Sequence, residues 1–97
     1  MDVYFELHGN DFVWDADKAR SNLRKHGVSF EEAAAAFFDP LLMLLDASRN
    51  DELRDAVIGF DATGRLLYIV HVLVESETLR LVSARRATPA EEDLYAQ

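Results

Sequence analysis

A helix end and a helix start stand almost side by side in the N-terminal half of the chain. Gly27 suits the left-handed position that closes a helix, because glycine has no side chain to clash there. Ser29 and Glu32 then form an S-x-x-E capping box, which is a common start of a new helix. Pro40 ends this second helix, since proline disfavours helical backbone in the residue before it. Residues 15–38 are therefore predicted to form a helix hairpin with a very short joint.

Both helices of this hairpin carry apolar residues at helical spacing. Asp15 precedes the first helix as a suitable N-cap. The stripe of the first helix consists of Ala16, Ala19, Leu23 and His26. The stripe of the second helix consists of Phe30, Ala33, Ala34, Phe37 and Phe38. The first pattern predicts a partly buried His26 imidazole at the negative end of the helix dipole, whereas Lys25 lies off the stripe and is predicted to point outward.

The hydrophobic pattern changes from helix to strand after the hairpin. Apolar or alternating runs separated by polar turns occupy residues 41–46, 56–60, 65–74 and 79–85. The third run is apolar on both alternating faces, which is typical of a central strand covered on both sides. In addition, FVW at residues 12–14 is predicted to be a short edge strand, and a Thr-Pro pair before residue 90 begins a polar final helix.

Helices that precede a run of strands indicate an α+β fold in a single domain, residues 1–97. We expect the N-terminal helix hairpin to pack on one face of a four-stranded, mainly antiparallel sheet, with a C-terminal helix after it. Strict alternation along the last strand puts Arg80 and Arg86 on one face. The same alternation puts Arg85 on the other face, together with Ser83.

The charge of the chain is unevenly distributed. The net charge is −8, which argues against a general nucleic-acid binder. Residues 1–17 carry five acids and no base, whereas residues 18–27 carry four bases and no acid. A second basic window, residues 63–86, holds four arginines against two acids. A fold that joins the two windows would form a basic site, and ordinary solvated surface explains the same charges equally well.

Several chemistries are disfavoured by the residue types present. The chain has no cysteine, and His8, His26 and His71 have no partner at metal-ligand spacing, so neither a disulfide nor a metal site is expected. Its scattered glycines form no phosphate-binding loop, and Ser83 lacks the flanking glycines of a hydrolase nucleophile, so no cofactor is expected. The first residues do not read as a signal peptide, and no apolar run approaches the roughly 18 residues of a membrane span. We therefore expect a cytoplasmic protein.

Four segments are distinctive when they are taken together. They are FVWDADKARSNLRKHGVSFEEAAAAFFDP, GRLLYIVHV, LRLVSARRAT and the ending E-x-x-x-Y. Over roughly residues 12–95 they resemble the BrnT family of bacterial toxins. That family commonly shows W-D-x-x-K-x-x-x-N-x-x-K-H-G-V-S-F-E-E-A near its start and I-S-A-R-x-A-T near its end. The matching positions include Asn22, Lys25, His26, Gly27, Ser29, Phe30, Glu31, Ser83, Ala84, Arg85, Ala87 and Thr88.

The resemblance implies a RelE-like fold and a ribonuclease toxin of a type II toxin–antitoxin module, which inhibits translation by metal-independent RNA cleavage. It also implies a BrnA-like antitoxin partner, a DNA-binding ribbon-helix-helix protein, and a heterotetramer of toxin and antitoxin. Many members of the family are basic overall, whereas this chain is acidic. The alternative interpretation is a catalytically weak or inactive BrnT-like protein that acts mainly as a protein-binding module.

The resemblance also implies catalytic residues. Lys25 and His26 match the family's KHG. Arg85 matches the arginine of its S-A-R segment, and Arg80 matches a base that commonly precedes this segment. We expect the two arginines to bind the RNA phosphate, while Lys25 or His26 assists the reaction.

Further residues are expected to extend this site. Additional contacts with RNA are expected from the basic residues Lys18, Arg65 and Arg86. Glu91 and Tyr95 lie one turn apart on the final helix, so they face the same way. They would complete the site if this helix packs beside the last strand.

Overall fold

The computed structural model of residues 1–97 describes every residue except the side chain of Ser76. The described chain forms six β-strands and three α-helices. The strands are β1 (Asp2–Leu7), β2 (Asn10–Asp15), β3 (Met43–Asp46), β4 (Asp55–Phe60), β5 (Leu66–Val74) and β6 (Thr78–Arg86). The helices are α1 (Ala16–His26), α2 (Phe30–Ala36) and α3 (Pro89–Tyr95). Over the described residues, no helix has the length and apolar character needed to cross a membrane.

All six strands belong to one sheet, in the order β1-β2-β6-β5-β4-β3. β2 and β6 run parallel, and the other neighbouring strands run antiparallel. The predicted α+β class is confirmed. The predicted four-stranded sheet is wrong, because the sheet is mixed and also contains β1 and β2 from the N-terminal part of the chain. The predicted helix pair is present, with α2 on one face of the sheet and α1 beside β6 and β2.

The first two strands form a hairpin that the sequence pattern did not reveal. His8 and Gly9 connect β1 to β2, and both have positive φ angles, 51° and 80°. Such a backbone matches the twist of a tight two-residue hairpin turn. The usual Asn-Gly or Asp-Gly signal is absent, so β1 was missed. β2, predicted to be a short edge strand, lies inside the sheet between β1 and β6.

A core of apolar side chains lies between α2 and the sheet. Phe12, Trp14 and Phe30 are buried in it, and the rings of Trp14 and Phe30 meet edge to face, 5.7 Å apart. Gly59 permits the close approach of α2 to β4, because a Cβ atom there would lie 2.7 Å from the carbonyl oxygen of Ala36. The face of the sheet that carries this core is called the inner face below, and the opposite one the outer face.

The predicted helix caps are confirmed, although α2 ends at Ala36, two residues before the predicted end. The Asp15 carboxylate accepts a hydrogen bond from a backbone N–H in the first turn of α1. Gly27 ends this helix with a φ angle of 69°, and Ser29 opens α2 with both hydrogen bonds of the capping box to Glu32. Thr88 caps α3 in the same way. These contacts are local, so the sequence alone was sufficient to predict them.

The predicted inner stripe of α1 is confirmed at Ala19, which packs against the core, but is wrong at Leu23 and His26. Leu23 is 50% exposed, and His26 is exposed, so its imidazole is not partly buried. Asn22 is instead the buried residue of this helix. An apolar pattern cannot identify this face, because its central side chain is polar and is buried only where it finds hydrogen-bond partners. Lys25 is exposed, as predicted.

A β-bulge in β6 changes which arginines share a face. His71 of β5 pairs with Leu81, but the preceding residue pairs with Ser83, so Val82 is the extra residue. As a result Arg80 and Arg85 both lie on the outer face, opposite the outward residues of β5. The predicted pairing of Arg80 with Arg86 is therefore wrong, since strict alternation does not continue through a bulge.

Candidate functional site

Cations from α1 and from β6 line a groove between these two elements, which we call the α1–β6 cleft. One part has a volume of about 230 Å³ and is lined by Lys18, Ser21, Asn22, Lys25, His26, Val82 and Ser83. The adjoining part has a volume of about 340 Å³ and is lined by Lys18, Glu52, Leu53, Arg54, Val72, Arg80 and Val82. Lys18 and Val82 belong to both parts. The two basic windows of the sequence therefore meet here.

Asn22 holds the two walls of the α1–β6 cleft together. Its amide nitrogen donates to the carbonyl oxygens of Ala84, at 2.8 Å, and Val28, at 3.0 Å. Its amide oxygen accepts the N–H of Ala84 at 3.0 Å. β2 pairs with β6 only near Leu79 and Arg80, so farther along β6 this side chain takes the place of a strand partner. Sequence reasoning assigned Asn22 no role, and its position in the family motif was the only signal.

Arg80 lies on the wall of the cleft and binds an acid of β1. Its two terminal nitrogens donate to the two carboxylate oxygens of Asp2, at 3.2 and 2.8 Å. The hydrogen bonds from Arg80 lower the pKa of Asp2. The side chains of both partners are more than one third exposed, at 35% for Arg80 and 38% for Asp2.

Arg85 belongs to a second cluster, formed with α3. Its terminal nitrogens donate to both carboxylate oxygens of Glu91, at 2.8 and 2.9 Å. Its guanidinium carbon lies 4.4 Å from the ring centroid of Tyr68, a cation–π contact. The hydrogen bonds from Arg85 lower the pKa of Glu91, which also accepts the backbone N–H of Thr88. The structure thus brings Arg85 and Glu91 together, and Arg85 is not among the residues that line the α1–β6 cleft.

The two candidate arginines therefore stand apart on one surface. The Cα atoms of Arg80 and Arg85 are roughly 15 Å apart, from the usual rise per residue of a strand. Each arginine faces its own carboxylate. In this arrangement the two guanidinium groups lie at two separate positions along the outer face and do not converge on one binding position.

Arg65, expected to contact RNA, is engaged within the protein. Its Nε atom donates to the buried Asp61 carboxylate at 2.9 Å, and a terminal nitrogen donates to the carbonyl oxygen of Gly27 at 3.1 Å. The other terminal nitrogen forms an ion pair with Glu32 at 3.1 Å. Arg65 therefore ties the joint between α1 and α2 to the turn that precedes β5.

Tyr95 and Arg86 line a different cavity, of about 510 Å³, at the side of the sheet where α3 lies. The Tyr95 hydroxyl donates to Asp39, and this hydrogen bond raises the pKa of Tyr95 to about 12. The ring of Tyr95 packs edge to face on Phe60, 5.3 Å away. At neutral pH Tyr95 is thus a hydrogen-bond donor that docks α3, and it is not among the residues that line the α1–β6 cleft.

His71 lies in the core and not at either cluster. It is buried, stands edge to face with Phe37 at 5.1 Å, and its burial lowers its pKa. Over the described residues, no group of three His, Cys, Asp or Glu side chains is arranged to hold a metal ion.

The chain is similar to known toxins in both sequence and structure. Residues 14–91 match the family model described as ribonuclease toxin, BrnT, of type II toxin-antitoxin system. The fold is similar to the crystal structure of the Brucella abortus ribonuclease toxin, BrnT, with a TM-score of 0.56 and 26% sequence identity. That similarity covers 77% of this chain and 92% of the Brucella chain. Among proteins with curated descriptions, none matches this chain.

The family match extends from β2, across the α1–β6 cleft, to Glu91 of α3. It therefore includes both the KHG segment of α1 and the two arginines of β6 that face outward. The family match covers more than half of the chain, and the structural similarity is to a toxin of the same family. This chain belongs to the BrnT family of ribonuclease toxins.

Proposed function

We propose that this protein is a ribonuclease toxin of a type II toxin–antitoxin system, which inhibits translation by cleaving RNA without a metal ion. The observation that carries the proposal is the α1–β6 cleft, where Lys25 and His26 lie beside the strand that bears Arg80. Membership of the BrnT family supports the reaction class. On the same basis, we propose that the fold is RelE-like and that the protein acts in the cytoplasm.

RNA cleavage without a metal uses the ribose 2′-hydroxyl as the nucleophile. Its oxygen bonds to the adjacent phosphorus, the bond from phosphorus to the 5′ oxygen breaks, and a cyclic phosphate remains. A base takes the hydroxyl proton, an acid protonates the leaving oxygen, and cations stabilise the extra negative charge. We assign proton transfer to His26, which is exposed in the cleft. Lys25, Lys18 and Arg80 are assigned to the phosphates.

RNA must compete with carboxylates for both arginines. The pair of Arg80 with Asp2 is half-exposed, and such ion pairs contribute little to stability, so a phosphate can replace the carboxylate with equivalent bidentate geometry. Glu91, the partner of Arg85, is only 16% exposed and also accepts the N–H of Thr88 in the capping box of α3. At Arg85, RNA therefore competes with a carboxylate that is more enclosed than Asp2.

The proposed partner is an antitoxin. Type II systems pair a toxin protein with an antitoxin protein, and the family membership supports such a partner here. We propose a BrnA-like antitoxin with a DNA-binding ribbon-helix-helix domain, assembled with the toxin as a heterotetramer. Arg86, which is exposed, is proposed as a further contact for RNA, whereas Arg65 supports the site by holding the joint after α1.

A second function is favoured by the same ion pairs. Arg80 and Arg85 both hold carboxylates of this chain, and the net charge is −8. Both features oppose RNA binding, because affinity for RNA depends on neutralising its phosphates. A weak or inactive BrnT-like protein that mainly binds a protein partner is therefore the competing function.

Induced expression and an RNA cleavage assay distinguish the two functions. For a toxin, induction arrests growth, and the purified protein cleaves RNA equally well with and without EDTA. Substituting His26 by alanine lowers the cleavage rate by about 100-fold, the usual contribution of proton transfer by a side chain. Arg20→Ala is the matched control, because this cation is on α1 and exposed but does not line the cleft.

Each other outcome has a definite meaning. A protein that binds its antitoxin but neither cleaves RNA nor arrests growth has the competing function. Cleavage that EDTA abolishes contradicts the metal-independent reaction. Equal loss of activity in the His26 and Arg20 variants contradicts the assignment of the cleft.

A further inference from the structure

The outer edge of β1 has backbone groups that no strand of the described structure pairs with. β1 is the terminal strand of the sheet and pairs only with β2. The N–H of Ala16 donates to the carbonyl of Met1, which places these two residues in a hydrogen-bonded pair. Antiparallel pairs alternate between bonded and non-bonded. The N–H and C=O groups of Asp2, Tyr4 and Glu6 therefore point away from β2.

This edge lacks most of the usual protection against strand addition. Its six residues include no proline, lysine or glycine, and the register with β2 runs without a bulge from Asp2 to Leu7. Edge strands are commonly shortened, bent or interrupted by such features to prevent pairing with other chains. The other edge of the sheet, β3, is shorter, with four residues.

An incomplete apolar row runs along the same edge on the inner face. Val3, Phe5 and Leu7 pack against the core but are only partly buried. Phe38, next to the ring of His8 at 5.0 Å, is 36% exposed at the end of this row. An added strand with apolar residues on the inner face would cover the row and continue the core.

The outer face of the edge indicates the charge of such a strand. Glu6 stands directly opposite Asp11 of β2, and no ion pair to either carboxylate is present among the described residues. Like charges placed opposite each other are unfavourable. The neighbouring acidic pair, Asp2 and Asp15, is by contrast neutralised by Arg80 and the terminal ammonium group.

We propose that the outer edge of β1 binds an extended segment of a protein partner as a seventh strand. In this segment, apolar residues alternate with lysine or arginine, so that apolar side chains meet the row of Val3 and Phe5 and basic ones face Glu6 and Asp11. Backbone hydrogen bonds supply affinity in strand addition, and alternate side chains supply specificity. A second copy of this chain fits poorly, because two β1 edges would bring their acidic rows together.

A basic peptide tests this interface without requiring ribonuclease activity. The probe is a blocked peptide of alternating valine and lysine, added to the full-length 15N-labelled protein. We expect saturable binding, with the largest amide shifts in β1 and slower exchange of the Asp2, Tyr4 and Glu6 amides. A peptide with glutamate in place of lysine should bind at least tenfold more weakly.

Variants of β1 separate backbone pairing from side-chain contact. Tyr4→Pro removes an outward N–H without removing a bond to β2, so it should weaken binding at least tenfold. Tyr4→Phe keeps the N–H and should bind like the original protein. Glu6→Lys leaves the backbone intact and should weaken binding about fivefold, from the loss of a cross-strand charge pair.

Three results would overturn the interface. They are the absence of saturable binding to the folded protein, shifts that map to β3 instead of β1, and equal binding by the Tyr4→Pro and Tyr4→Phe proteins. Glu6→Lys keeps the test decisive if the proline variant fails to fold. A dimer in sedimentation experiments that Tyr4→Pro disrupts and Tyr4→Phe does not would identify a second copy, rather than a basic segment, as the occupant.

Discussion

Two arginines of β6, Arg80 and Arg85, have equal exposure, 35%, but very different surroundings. Arg80 lies at the α1–β6 cleft and binds Asp2 of the edge strand β1, which is 38% exposed. Arg85 lies between the ring of Tyr68 and the largely buried Glu91, which also takes part in the capping box of α3. A family motif that contains both arginines does not distinguish between these two positions.

The comparison shows why similar cations differ in their availability for a ligand. A guanidinium exchanges partners easily when the carboxylate that it releases is hydrated, as for Asp2. It exchanges with difficulty when the released carboxylate is enclosed, as for Glu91. In the described structure Arg80 is therefore the more available cation, and Arg85 has the more enclosed partner.

The largest expected effect concerns the catalytic side of this comparison. Arg80→Ala should lower RNA cleavage by about 100- to 1000-fold, as expected when a donor to the reacting phosphate is removed. The melting temperature should remain close to that of the unmodified protein, because the lost ion pair is half-exposed. Cleavage that stays within a few-fold of the original rate would remove Arg80 from the site.

The second effect concerns Asn22, which binds β6 between the two arginines. Asn22→Leu should lower the free energy of unfolding by about 3 kcal/mol, because both backbone groups of Ala84 and the carbonyl of Val28 lose their partner. Urea denaturation measures this change. Ser21→Ala, in the same helix, is the control and should stay within about 0.5 kcal/mol. Equal effects of the two substitutions would show that Asn22 does not fix α1.

The third effect concerns the structural side of the comparison. Arg85→Ala should lower the free energy of unfolding by about 2 kcal/mol, between the values of exposed and buried ion pairs. Thermal or urea denaturation measures it. The adjacent Arg86→Ala is the matched control, since Arg86 is exposed, and should change stability little. A neutral Arg85→Ala protein would mean that α3 does not depend on this pair.

A smaller effect is expected at the far end of α3. Tyr95→Phe removes the hydrogen bond to Asp39 and should cost about 1 kcal/mol. With a pKa of about 12, Tyr95 should also give an ionisation step well above the ordinary tyrosine pKa of 10 in an ultraviolet titration, and this late step should disappear in the variant. A titration with no difference between the proteins would contradict the docking of α3 through Tyr95.

The smallest effect comes from the core beneath both arginines, where His71 lies on the adjacent strand. Burial lowers its pKa below the ordinary 6.5, so as pH falls below 6.5 the unfolded chain takes up a proton that the folded protein resists. Stability should therefore decrease from pH 7.5 to 5.5, by up to about 1 kcal/mol more than in His71→Phe. Denaturation at the two pH values measures the difference, and equal slopes would contradict it.

Much of the local structure was predictable from the sequence. Ser29 and Thr88 cap their helices, and Gly27 ends one, because each interaction joins residues only a few positions apart. The apolar runs after Pro40 were also recognisable as strands. β1 was not predicted, although Val3, Phe5 and Leu7 alternate with outward residues as in a half-buried strand, because its His-Gly turn lacks the usual hairpin signals.

The errors at the candidate site have a different origin. Alternation placed Arg80 with Arg86, but the extra residue Val82 reverses the faces beyond it. Helical spacing predicted that His26 lies on the buried face of α1. The buried residue of this helix is Asn22 instead, which is hydrogen-bonded to Ala84, 62 positions away. Arg65 looked like a free cation in the sequence, and in the fold it links Asp61 to the carbonyl of Gly27.

The sequence by itself determined the helix ends, the α+β class, the family and the residue types of the site, because these depend on neighbouring residues or on an ordered motif. Only the tertiary structure decided that Lys25, His26 and Arg80 share a cleft while Arg85 binds Glu91 elsewhere. That assignment depends on a bulge and on hydrogen bonds between distant segments. Their energies depend on which groups are buried together, and no local pattern records this.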